Sequence, residues 1–494
     1  MTGKLSMLAS LFQNISPIDH SIKASHILVI LPQLEKLPKK YNVLGEESLG
    51  KLLLRREMKL TDLNDTPVSA NLEKGELCAW VMLNTNKSIF DQQTCIRKAI
   101  KLLLIENPPE IHIAVYGTTH QRKSFSELAV YATWVNGAAL PVRKNKPIKK
   151  SLTKISLYGY KDAENFTLQR AMAEGNLLAR GLTILPANEL TPQTYRQQIK
   201  KLAENEGWEY EEFDLSKLQE IGAGAFVAVA QGSDLKDAAI VHIKHNCNKN
   251  TQSKSVAIVG KGICFDTGGH NLKPPRYMQG MHEDMNGSAV ALGILLAATR
   301  AEIPVKIDCW LAIAQNHISP HAYKQNDIIT ALNGLSIEIV HTDAEGRMVL
   351  ADTLTLAAKL KPDLIIDFAT LTGSMKTALG SRYSGIFSNR SDLSTKAILA
   401  GEKSGERVCA FPMDADYEEN LESNIADIKQ CELGGEFDHI LAACFLRKFI
   451  NDTPWLHMDL SASSHKDGLG AVDSEITGFG VSWAIEFLKN IRGG

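Results

Sequence analysis

Nearly unbroken apolar runs alternate with helical spacings along most of this 494-residue chain. HILVILP (26–32), LCAWVML (core at 78–83) and IHIAVYG (111–117) have the form of strands buried on both faces. Between the last two, Ile96, Ile100 and Leu103 recur at helical spacing within IRKAIKLLL (96–104). Residues 1–161 thus read as a small α/β domain in which no chemical constellation stands out. Leu168, Met172, Gly175, Ala179 and Leu182 form one stripe of a long helix ending before Pro186, which predicts a linker helix over 162–185. Thr191-Pro192 has the form of an N-cap and first-turn proline, opening a helix that stops near Gly207.

Residues 186–494 repeat the alternation on a larger scale. AAIVHIK (238–244), SVAIVG (255–260), VKIDCWLAIA (305–314) and DLIIDF (363–368) predict strands, with helices between several of them. GSAVALGILLAATR (287–300) is apolar almost all round, as a helix inside a large domain would be. Asn333-Gly334 marks a tight turn before LSIEIV (335–340). The pattern predicts a two-domain α/β protein whose larger C-terminal domain holds a mostly parallel sheet covered by helices.

Charge narrows the function classes. Lys and Arg total 54 against 56 Asp and Glu, a net charge of −2. Nucleic acid or an anionic membrane normally requires a basic excess, so neither is expected as a partner. KNKPIKK (144–150) reads as a solvated, proline-interrupted loop. No run approaches the ~20 apolar residues of a membrane span. The N-terminal MTGKLSMLASLFQNISPIDHS lacks an uninterrupted apolar core and a small-residue cleavage site. Eight scattered cysteines without a CxxC pair read as buried free thiols, so a cytoplasmic location is expected.

The chemistry concentrates between Lys261 and Arg347. VGKGICFDTGGHNLKPPRYMQGMHEDMNG and HTDAEGR each set charged residues among glycines after an apolar run. Together they offer Lys261, Asp266, Lys273, Asp284, Asp343, Glu345 and Arg347. Carboxylates this dense repel one another unless a cation lies between them. Four carboxylates balance two divalent cations, and an amine ligand shifts the choice toward Zn²⁺ or Mn²⁺. Lysine ligates only when neutral, so its proton must be lost to the adjacent cation. The clusters follow strand segments and are expected on loops, with Gly262 turning the chain between Lys261 and Asp266. Asp343 and Glu345, two apart, share a face if that loop is extended. Any one of these residues alone reads more readily as a surface ion pair, but the set with its flanking glycines does not. VGKG is not a phosphate loop, because Walker spacing needs Gly at Ser255 and Ser or Thr at Gly262. IGAGAF (221–226) fails the dinucleotide spacing, and Cys264 reads as a small buried residue. A dinuclear phosphoesterase or amidohydrolase uses similar sites but normally recruits histidines, none of which has a clear ligand spacing here.

At these residues the chain resembles the leucyl (cytosol) aminopeptidase family of dinuclear metallopeptidases. HTDAEGR (341–347) is similar to that family's NTDAEGR, and GKGICFDTGGHNLKP (260–274) to its GKG-x-x-FD-x-GG-x-x-x-KP. The likeness continues in DMNGSA (284–289), ATLTG (369–373) and TGFGV (477–481). It implies an aminopeptidase, typically hexameric, preferring leucine or another apolar first residue. Asp266 and Glu345 would contact both metals, Asp343 would complete one site, and Lys261 and Asp284 the other. Lys273 would polarise the scissile carbonyl, and Arg347 would hold a bicarbonate that shuttles the proton of the attacking water. Independently of the resemblance, Arg347 opens the helical RMVLADTLTLAAKL, where amides and dipole favour an anion. Met281 and Thr370 match the pocket for the first side chain, and Leu371 and Gly373 match positions whose backbone meets the substrate. A DNA-binding role attached to some members finds no support in the neutral charge. Three positions depart from the family: His341 for the usual Asn, His270 for an apolar residue, and GGEFDHILAACFL (434–446) for a Gly-rich segment.

Overall fold

The computed structural model describes residues 7–19, 21–145, 150–246 and 253–491. Most of the basic run 144–150 and Cys247 lie outside them. The chain divides into two compact units. The first comprises 1–177 with the short segments 402–406 and 465–477, and the second holds the remainder. The chain passes from one to the other within the helix Thr167–Thr183.

The first unit is built on a six-stranded sheet. Its order is Ser10–Asn14, Lys154–Tyr158, Glu110–Val115, His26–Pro32, Leu77–Leu83 and Val68–Asn71. All neighbours are parallel except the edge strand Val68–Asn71. Successive residues of His26–Pro32 serve opposite faces. Leu28 and Ile30 join the core that includes Ile96 and Ile100, while Ile27, Val29 and Leu31 join the core under Leu49 and Leu52. A strand covered on both sides has no polar face, which is why HILVILP carries no alternation.

The second unit has an eight-stranded sheet. Its order is Val408–Ala410, Ser384–Ser388, Trp455–Asp459, Leu364–Ala369, Ser255–Asp266, Lys306–Asn316, Ala239–His245 and Glu209–Asp214. The four strands from Trp455–Asp459 to Lys306–Asn316 are mutually parallel, and antiparallel pairings begin on either side. Asn286–Arg300 packs on this sheet with every residue from Asn286 to Ala298 buried. Its approach is unusually close. A Cβ on Gly287 would stand 2.2 Å from the carbonyl oxygen of Phe368, and one on Gly260 would stand 2.5 Å from Ser288 Cα. A small sheet of Ile328–Thr330, Ser336–Glu338 and Ile428–Lys429 lies beside the large one in sequence order. Among the described residues no helix is long and apolar enough to cross a membrane. Seven described cysteines are free, six of them buried and Cys409 half-buried.

Candidate metal centre

Lys261 and Asp266 lie on one twelve-residue strand, Ser255–Asp266, which corrects the loop and the Gly262 turn expected from sequence. Gly262 serves close packing instead: a Cβ there would meet the Ala312 carbonyl oxygen at 2.9 Å and Ser288 Oγ at 3.0 Å. Residues five apart on a regular strand point to opposite faces. Here Ile263 is paired with Ala314 but Asp266 with Asn316, so the strand carries one extra residue against its neighbour. Such a bulge resets the alternation and lets both side chains serve one centre. Asp284 follows the 3₁₀ turn Met281–Glu283, just before helix Asn286–Arg300. The second cluster differs from the extended loop expected of it. Asp343 sits in a turn, and Glu345 is already the first residue of helix Glu345–Lys359.

The side chains converge through two lysines. Lys261 Nζ lies 2.9 Å from Asp284 Oδ2 and 2.9 Å from Glu345 Oε1, and donates to the Thr370 carbonyl at 3.0 Å. Lys273 Nζ lies 2.9 Å from Asp266 Oδ2 and 2.5 Å from Asp343 Oδ1. Asp266, Asp343 and Glu345 each bring a carboxylate oxygen within 4.8 Å of the others, which joins the two halves. Gly346 makes room for this, since a Cβ there would stand 2.6 Å from Lys261 Nζ.

The centre is short of positive charge. Four carboxylates face two ammonium groups, with Lys261, Asp266 and Glu345 at 3%, 2% and 1% exposure. Burial first, then neighbouring carboxylates, raise the pKa of Asp343 and Glu345. Burial likewise raises that of Asp284, against the pull of Lys261. Burial opposes the charge on both lysines, but the surrounding carboxylates outweigh it and raise their pKa. Glu345 Oε2 is buried without a hydrogen-bond partner among the described residues. A desolvated carboxylate oxygen left over in an anionic cluster suits a divalent cation, and the donor set of carboxylates with one amine fits Mn²⁺ or Zn²⁺.

Polar residues that carried no spacing signal hold this arrangement. Asn316 Nδ2 donates to Asp266 Oδ1 at 2.8 Å and to the Thr342 carbonyl at 3.0 Å. The Gly268 amide donates to the same Asp266 oxygen at 2.8 Å. Thr370 Oγ1 donates to Asp284 Oδ1 at 2.8 Å, so Thr370 touches the cluster directly. The Leu371 amide donates to Asp459 Oδ1 at 3.0 Å. Gly373 opens the short helix Gly373–Leu379, and a Cβ there would meet nothing within 4 Å. No described contact joins Met281 or Gly373 to the carboxylates. Of the departures from the resembled family, His341 stands behind the ligands, its Nδ1 accepting from the Asp343 amide at 3.2 Å. His270 is exposed.

Arg347 pairs with a carboxylate that is not among the proposed ligands. Its guanidinium, which the resemblance assigns to bicarbonate, donates through Nη2 to both oxygens of Asp438, at 2.8 and 2.7 Å. Burial opposes its charge, but Asp438 outweighs that and raises its pKa.

Residues 177–485 match the profile of the cytosol aminopeptidase family, catalytic domain. The chain belongs to this family. Curated relatives include a probable cytosol aminopeptidase of Stutzerimonas stutzeri, 39% identical over 334 residues, or 66% of each chain. Another, from Pseudomonas fluorescens, is 38% identical over 377 residues, covering 74% of this chain and 75% of the relative. Among solved structures, the bottromycin maturation enzyme BotP in complex with Mn superposes with a TM-score of 0.81 at 26% identity. It covers 95% of this chain and 100% of that one. Family membership makes the chain a metal-dependent hydrolase of the leucyl-aminopeptidase type, a metallo-exopeptidase.

Proposed function

We propose that this chain removes the N-terminal residue from peptides, with leucine or another apolar residue preferred, using two divalent cations. Asp266 and Glu345 would contribute to both metal positions, Asp343 would complete one, and Lys261 with Asp284 would complete the other. The observation that carries this reading is the clustering of Asp266, Asp343 and Glu345 within 4.8 Å in an under-compensated, buried setting. Two divalent ions supply an acidified water and stabilise the negative charge that develops on the scissile carbonyl. Lys273 places a further cation where that charge develops. Asp284 accepts hydrogen bonds from the free amine of the substrate, which sets the first peptide bond against the centre. Met281, Thr370, Leu371 and Gly373 line the path of the first residue, and the open space beside Gly373 leaves room for it. The Mn in the BotP structure favours manganese over zinc here. A homohexamer in the cytoplasm accompanies the reading, through the family alone.

Elemental analysis of the fully active protein tests the metal assignment. The expected content is two equivalents per chain. One equivalent or none at full activity contradicts the dinuclear reading.

A further inference from the structure

Arg347 is 2% exposed and stands two residues after Glu345, on the first turn of helix Glu345–Lys359. Arginine does not lose its proton in proteins, so a guanidinium buried this deeply needs an anion. Asp438 provides one through both of its oxygens, and the Gln430 carbonyl accepts from Nη1 at 3.1 Å. Gln430 ties this pair to the metal-bearing turn. Its side chain accepts from the His341 amide at 3.2 Å and donates to the Ala344 carbonyl at 3.1 Å. Asp438 is the first residue of helix Asp438–Arg447, where the free amides favour a negative charge. It comes from GGEFDHILAACFL, the stretch that departs from the resembled family's Gly-rich segment.

We propose that Asp438 is a built-in anion for Arg347: the chain's own carboxylate fills the place of a dissolved bicarbonate, and catalysis needs no such ion. This rests on the aminopeptidase reading for its catalytic part, but not for the occupancy of the guanidinium. A carboxylate already fixed in bonding geometry outcompetes a free ion that must give up its translational freedom. A second anion would have to displace Asp438 and leave its side chain, 27% exposed, without its cation. It would also add negative charge beside Glu345. Asp438 is thus a positioning residue that holds Arg347, and through Gln430 the turn bearing Asp343.

The test uses metal-loaded, full-length protein in carbonate-free buffer, with bicarbonate added over the millimolar range. Calorimetric titration reads binding, and leucyl amide hydrolysis reads kcat and KM separately. The unaltered protein is expected to show neither bicarbonate binding nor a change in kcat. Asp438→Asn and Asp438→Gly should lower kcat roughly 10- to 100-fold, the scale of a lost hydrogen bond to a charged group. In both, bicarbonate should bind and restore much of the loss, whereas Asp438→Glu should need none. Saturable bicarbonate binding by the unaltered protein, or a rise in its kcat, overturns the proposal. So does a folded Asp438→Gly variant with undiminished kcat and no bicarbonate binding. If no protein form cleaves the amide, the peptidase reading fails, while the calorimetry still decides the occupancy of Arg347.

Discussion

Glu345 is the residue in which the two halves of the centre meet: one oxygen pairs with Lys261 and the other has no hydrogen-bond partner among the described residues. Glu345→Gln removes a charge and a shared donor, so metal content and rate should fall together, as elemental analysis beside kinetics would show. Lys273 is assigned to developing negative charge rather than to the cations. Lys273→Ala should lower kcat by roughly 10²–10³ with metal content retained, and loss of metal in that variant would show the role to be wrong. The raised carboxylate pKa values also set a pH dependence. A carboxyl whose folded pKa lies above its unfolded value stabilises the metal-free protein below the unfolded value, and loses this as pH rises through the folded one. Cations compete with those protons and remove the repulsion. The gain in Tm on adding Mn²⁺ should therefore be larger at alkaline than at mildly acidic pH, and an equal gain at both would count against these groups as ligands. The charged members of the cluster were legible in sequence because each lies among glycines in a short, dense motif. Asn316, Gln430 and Asp438 were not. They reach the centre or the residues that support it from distant segments, and a lone polar residue carries no spacing signal.

Apolar runs located seven strands of the two large sheets and the buried helix, but not how far the central strand extends. SVAIVG stops, as a pattern, at Gly260, because glycines and charges interrupt the hydrophobicity. The backbone continues to Asp266, since those glycines accommodate the helix beneath and those charges face the centre. Two glycines separate packing from function. Gly260→Ala would drive a Cβ to 2.5 Å from the Ser288 backbone, and should cost about 1–3 kcal/mol in thermal denaturation as overpacking does. Gly373→Ala meets open space, so its Tm should be unchanged. If the substrate passes there, its KM for leucyl amides should rise with little change in kcat. Unchanged KM would remove Gly373 from the substrate path. The bulge that aligns Lys261 with Asp266 was not legible, because a one-residue shift between paired strands depends on both strands and leaves no mark in either alone.

Across the whole molecule, the two large sheets follow from covered strands, and the class of each unit was readable from unbroken apolar runs separated by helical spacings. The matched family segment, 177–485, holds every proposed ligand, whereas the first unit adds a sheet to which no chemistry is assigned. The central claim is that a free N-terminal amine, held by Asp284 beside the cations, is what the centre reads. Hydrolysis of leucyl amide against N-acetyl-leucyl amide by the metal-loaded protein tests it most directly. Acetylation removes the amine's lone pair and adds bulk in a buried site. The free amide should be cleaved while the acetylated one is essentially inert. Comparable kcat/KM for the two would contradict aminopeptidase action and leave a general amidohydrolase in its place.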